Sequence, residues 1–370
     1  MDLLMEDYNG THICGEKNED YDEARYSLIV FVGTPLAIIG VVFNSLLIFM
    51  NSSKAKIQSP TIYLYVLAIL DLLICLIYVP FFAVDAFMLF HRIEYLYHVW
   101  HGYVLLLYGS SRIAQFAATY MVLLATIERF IVVGEFERFF FFVSTRGRYM
   151  TIGVVLIMSI ALRMPAFFDY EIVYYAECPQ FESYVFTPML TQFTSYPIYN
   201  FYVITILHVF VPFAFLLILN FVIIALTKRK AYKRLNRKQK FGDGCRLASM
   251  MRRESAIVHV DRKGISTATR TIVFLVFTYL TCNIISVFMN IMENVYPNSS
   301  LLANEDGTST QFYTIAADVV SIMVVVNSVT RIFIYVVCSS SFREEVFKLI
   351  STICARLRSV CCCHGKQIEL

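Results

Sequence analysis

Apolar residues gather along this chain into seven long blocks, and the connections between them carry most of the charge. The blocks run Leu28–Met50, Tyr63–Phe82, Val104–Val133, Thr151–Phe168, Phe201–Leu226, Ile272–Met292 and Phe312–Cys338. At a rise of about 1.5 Å per residue, each can cross roughly 30 Å of hydrocarbon as a helix, which satisfies its own backbone there. The pattern predicts an all-α membrane protein: a seven-helix bundle over 28–338, with a tail at 1–27 and a polar loop at 228–270. After the last block the pattern changes. In Ser341–Ile350, residues Phe342, Val346, Phe347, Leu349 and Ile350 fall largely on one side of a helix. This predicts an amphipathic segment at 339–352 lying on the bilayer, ahead of a cysteine-rich tail at 353–370.

Composition strengthens the membrane reading and charge orients it. The chain is 58% hydrophobic with only 16% charged residues and a mean hydropathy of +0.62, whereas about a quarter of a soluble protein is charged. Lys228 to Arg270 holds fourteen Lys and Arg against Asp243, Glu254 and Asp261, and Lys54 and Lys56 follow the first block. Lys and Arg mark cytosolic loops. Neither occurs from Met164 to Thr227 or from Thr271 to Thr330, where Asp169, Glu171, Glu177, Glu182, Glu293, Glu305 and Asp306 lie. That face and the acidic tail are expected outside, with no signal peptide ahead of the first helix. Sequons at Asn9 and Asn298 then fall outside, open to glycosylation, while the one at Asn51 falls inside.

Charges within the blocks are few and costly, so each needs a reason. Asp71 lies about 16 Å past Pro60 along its helix and is either a neutral hydrogen-bonded acid or one half of an ion pair. The third block carries Arg112 and Gln115 toward one end, and at the other Glu128-Arg129-Phe130, an adjacent acid and base that read as a self-neutralising switch at a membrane face. About 25 Å separates Arg112 from Arg129, so Arg112 falls near the outer opening, where it snorkels, pairs with an acid or meets a ligand. An enzyme would need a nucleophile, phosphate loop or ligand cluster. His98 and His101 read as a loop pair without partners, so no enzyme activity, cofactor or metal is expected. Internal repeats and helices interrupted near the midplane, the marks of a transporter, are not seen. Nothing in the charge pattern calls for a nucleic acid.

Read in order, Asn44, Leu67-Ala68-x-x-Asp71, Glu128-Arg129-Phe130, Pro165, Pro212, Asn327-Ser328 and Tyr335 resemble the motifs of a rhodopsin-like G-protein-coupled receptor over roughly Ser27–Ile350. Met164 to Ile172, Pro212 with Asn220, and Cys282-Asn283 are similar to invertebrate FMRFamide-type neuropeptide receptors. The resemblance implies a plasma-membrane receptor for a short amidated peptide of RFamide type, signalling through a heterotrimeric G protein, with Glu128, Arg129, Phe130 and Tyr335 in coupling. A divergent chemosensory or non-coupling seven-helix receptor is the alternative. Arg112, Gln115, Glu293 and Asp318 are the candidate ligand residues, the acids receiving the cation of an Arg-aromatic amide.

The departures from the family carry information. The cysteine usual at the top of helix three is replaced at about Val104, leaving Cys178 with Cys14 as the other outer cysteine; a disulfide between them and two free thiols both stand open. Arg331 replaces a residue of the family's Asn-Pro pair. It sits about 10 Å inside the cytosolic boundary, where it either reaches Asp71, in place of the sodium ion of related receptors, or snorkels. Asn44, Asp71, Asn327 and Arg331 thus form an expected polar core. Helix six lacks the family's proline and aromatic toggle. Cys354, Cys361, Cys362 and Cys363 follow the amphipathic segment and are candidates for palmitoylation.

Overall fold

The computed structural model describes residues 14, 22–52, 61–190, 193, 195–241, 251–296, 299–302, 310–338, 342–348 and 351. Seven helices among them are long and apolar enough to cross a membrane: α1 Glu23–Asn51, α2 Ile62–His91, α3 Glu94–Gly134, α4 Thr145–Phe168, α5 Tyr202–Lys230, α6 Thr269–Glu293 and α7 Gln311–Cys338. Each contains most of one apolar block, but several are longer. Hydropathy marks the slab of hydrocarbon, whereas a helix continues until the backbone breaks it. α2 and α3 meet at Arg92, whose φ of 53° is left-handed, and at Ile93, which is extended. α3 therefore starts at Glu94 and not near Val104, and His98 and His101 are helical residues, not a loop pair. Helix likewise continues past α5 to Phe241 and starts before α6 at Met251, narrowing the expected loop.

α3 is the central helix. It is the most buried of the seven, whereas α1, α4 and α5 are the most exposed and present Phe31, Ile157 and Phe221 outward as lipid-facing helices do. Gly109 makes one close approach possible: a β-carbon there would lie 2.5 Å from the ring of Phe167 in α4. Widened, π-helical turns over Ser27–Gly33, Val79–Ala83 and Tyr199–Phe210 each contain a proline or end two residues before one, Pro35, Pro80 or Pro212, which cannot donate to the helical ladder.

The segment after α4 forms an antiparallel hairpin not expected from the block pattern, β1 Tyr170–Tyr174 with β2 Tyr184–Pro188, registered Tyr170 to Pro188 and Tyr174 to Tyr184. Its residues are aromatic and β-branched, and it packs on Met88, Tyr97, Trp100 and Val104 through Ile172, Phe181, Tyr184 and Phe186. Val104, near which the resemblance implies a cysteine, is buried in this cluster. Cys178 at the hairpin tip is joined to Cys14, with 5.6 Å between α-carbons. At the opposite end, 342–348 is helical, and Phe342 packs on Tyr335 of α7 with ring centroids 5.6 Å apart. Asn9, Asn298, Cys354, Cys361, Cys362 and Cys363 lie outside the described residues.

Candidate functional site

The end of the bundle that carries the hairpin holds two separate polar groups. The first lies between α3, α4 and α5. Arg112 places its guanidinium carbon 5.0 Å from the centre of the Tyr108 ring, and one turn on, Gln115 donates to Ser111 Oγ at 2.9 Å. Arg163 of α4 is buried, bonds through Nη2 to Nδ1 of His208, and places its guanidinium carbon over the Phe116 ring, 5.6 Å from its centre. Because a guanidinium only donates, His208 must accept at Nδ1 and carry its proton on Nε2. Asp169, just past α4, accepts from the Tyr196 hydroxyl and, at 3.5 Å, from that of Tyr108. Burial raises the Asp169 carboxyl above its usual range; the Tyr196 hydrogen bond and the nearby Arg112 and Arg163 charges oppose that rise.

The second group lies between α1, α2 and α7. Arg25 reaches Asp85 at 2.8 Å and Asp318 at 3.3 Å, bridging two buried acids. Beside it Tyr26 stacks on Phe90 with centroids 4.1 Å apart. Asp318 is thereby supplied with an internal cation. Glu293, at the exposed end of α6, accepts from the Tyr313 hydroxyl at 3.2 Å and lies within electrostatic reach of Arg112. Of the four candidate ligand residues, Arg112 lies one helical turn from Gln115 and within electrostatic reach of Glu293, and Asp318 is set apart on Arg25.

In the middle of the bundle, two of the four residues expected as a polar core, Asp71 and Arg331, bond each other, while Asn44 and Asn327 are buried on their own helices. Asp71 accepts from Ser328 at 2.9 Å and forms an ion pair with Arg331, with both charged side chains at most 4% exposed. Asn44, fully buried, donates to the Gly40 carbonyl at 2.9 Å, while its Oδ1 has no hydrogen-bond partner. Asn327 is buried on α7 beside Ser328.

Toward the opposite end, the reading of Glu128 and Arg129 as a self-neutralising pair is corrected. Glu128 is bonded by Arg148 of α4 at 2.9 Å, because successive residues of a helix point in different directions whereas a facing helix can present its side chain directly. Arg129 stays half-buried at the same height, and Phe130 packs on Phe136. Arg270 of α6 donates to the carbonyl of Cys338, the last residue of α7, at 2.5 Å, and Lys230 of α5 pairs with Glu135 just past α3.

Arg163, His208, Arg25, Asp85 and Arg148 escaped the reading of the sequence. A signal existed for Arg163 and Asp85, each a charge set within or beside an apolar run; Arg25 and Arg148 flank their blocks and read as ordinary boundary charges.

Comparison with known proteins agrees with this architecture. The model of the seven-transmembrane receptors of the rhodopsin family matches residues 43–358. An FMRFamide peptide receptor of Caenorhabditis elegans is 23% identical over 326 residues, which cover 86% of this chain and 68% of that receptor.

Proposed function

We propose, from the premise that this chain belongs to the rhodopsin family of seven-transmembrane receptors, that its ligand is a short amidated peptide of RFamide type and that it signals through a heterotrimeric G protein. As a family member it is a multi-pass receptor of the plasma membrane. The hairpin end faces outside in this reading and the Arg129 end faces the cytosol. Asn9 and Asn298 then carry glycans, and the four tail cysteines are palmitoylated beside a membrane-surface helix. The similarity to an FMRFamide peptide receptor supports the ligand class.

The observation that carries the choice of residue is the exposed Glu293 carboxylate beside Tyr313. It offers an ionic partner and an aromatic surface together, which suits an arginine followed by an aromatic amide. Asp318, already bridged to Asp85 by Arg25, has a structural role before a ligand arrives. In the coupling step Arg129 is the cation that meets the G protein, since the Glu128 charge is already neutralised by Arg148 and leaves Arg129 available.

The test compares peptides ending in Arg-Phe-amide with counterparts ending in Gln-Phe-amide on cells expressing the chain. Glu293→Gln should weaken the arginine series about tenfold or more and leave the glutamine series near its wild-type potency; equal loss in both series would remove Glu293 from the site. A second reading, a seven-helix receptor that binds without coupling, is favoured by one observation: the buried Asp71–Arg331 pair ties α2 to α7 where a moving α7 would have to break it.

A further inference from the structure

Arg163 is the least expected charge in the molecule. It closes the α-helical part of α4, within the apolar span, where a buried cation is normally neutralised by a partner. It is 9% exposed, and its Nε has no hydrogen-bond partner. Its bonded neighbour is His208, which accepts at Nδ1 as a neutral ring and supplies no negative charge.

The surroundings add to the imbalance. Arg112 brings a second guanidinium within electrostatic reach of Arg163, and like charges repel. Asp169 lies within electrostatic reach of both arginines, but its oxygens accept from the hydroxyls of Tyr196 and Tyr108, and among the described residues it makes no ion pair with either. Glu293, the other acid in reach of Arg112, sits at the exposed mouth on Tyr313. Between α3, α4 and α5, two guanidinium groups therefore stand within the fold without a contacting anion.

The same residues are held in place. Phe116 lies under the Arg163 guanidinium, His208 is fixed between Arg163 and the backbone of Gln115, and Tyr108 lies under Arg112. A guanidinium positioned by neighbouring side chains keeps its remaining N–H groups in place, and a planar N–H fork is the group that binds a carboxylate through two parallel hydrogen bonds.

We propose that Arg163 and Arg112 form a subsite for a carboxylate of the ligand, buried between α3, α4 and α5, with His208 as the residue that positions Arg163. The inference rests on the receptor reading above and deepens it: the ligand carries an acidic group as well as the cation that Glu293 receives. The same chemistry could arrive as an acidic peptide side chain or as a free organic acid.

Thermal unfolding of the purified full chain separates these. The probes are acetyl-Glu-Phe-amide and its neutral isostere acetyl-Gln-Phe-amide, with 3-phenylpropionate and 3-phenylpropanamide as the non-peptide pair, at constant ionic strength. An acid that binds the native state should raise the Tm saturably by about 3 °C or more, its amide by less than about 1 °C. Arg163→Gln should abolish the acid-specific shift, and Arg163→Lys should retain part of it. Should Arg163→Gln fail to fold, Arg112→Gln, nearer the mouth, gives the same readout. A shift with 3-phenylpropionate alone assigns the subsite to a free acid, and one with the glutamyl probe to a peptide. Equal responses to acid and amide, no response to either acid, or an undiminished shift in both variants would overturn the proposal. None of the probes ends in Arg-Phe-amide, so failure here leaves the peptide reading standing, and silence from Arg-Phe-amide peptides leaves this subsite standing.

Discussion

At Asp71 two bonds converge on one buried carboxylate, from Ser328 and from Arg331, and removing either charge leaves the other stranded in the bundle. Breaking a buried pair by deleting one partner costs about 3–5 kcal/mol, while replacing both with neutral groups is often tolerated. Arg331→Met alone should therefore abolish surface expression or lower the Tm by about 8 °C or more, and Asp71→Asn with Arg331→Met should recover most of it. A double variant no better than the single one would mean that the two charges are stabilised separately. At Cys178 the tie to Cys14 joins residues 164 apart in sequence. Cys178→Ser should lower stability by about 2–5 kcal/mol, read as a fall in Tm that reducing agent reproduces in the wild type. The ion pair was half legible, since both charges stood inside apolar blocks at compatible heights. Arg25 with Asp85 and Asp318 was not, because Arg25 flanks the first block and reads as an ordinary boundary charge.

Among the elements, α3 and α4 owe their close packing to Gly109 against Phe167. Gly109→Val places two methyls into that ring and should destabilise by about 1–3 kcal/mol, with Phe167→Ala restoring part of the loss; a neutral Gly109→Val would show that the helices can part there. At the opposite end, Arg270 caps the C-terminus of α7 from α6. Arg270→Ala frees the end of α6 and should raise basal signalling above wild type at equal surface density. Unchanged basal activity would limit Arg270 to capping. The existence of all seven spans was legible from hydropathy because lipid imposes it. The start of α3 at Glu94 and the hairpin were not: one was set by a left-handed Arg92, the other by aromatic cover over Trp100 and Val104.

For the molecule as a whole, the charges divide by depth. The hairpin end carries Arg112, Arg163 and Glu293 around a tyrosine-rich wall, the middle carries the self-contained Asp71–Arg331 pair, and the far end carries Arg129 beside a Glu128 that Arg148 has already neutralised. Family membership was readable from the order of short motifs along the spans. The correct partner of Glu128 was not, since it required knowing that α4 faces α3 at that height. The most direct measurement applies amidated peptides ending in Arg-Phe-amide to cells expressing the wild type and Arg129→Ala at matched surface levels, reading calcium and cyclic nucleotide with a promiscuous G protein present. A saturable response in the wild type, lost in Arg129→Ala, is the expected result; silence from well-expressed wild-type protein, or an undiminished response in Arg129→Ala, would contradict it.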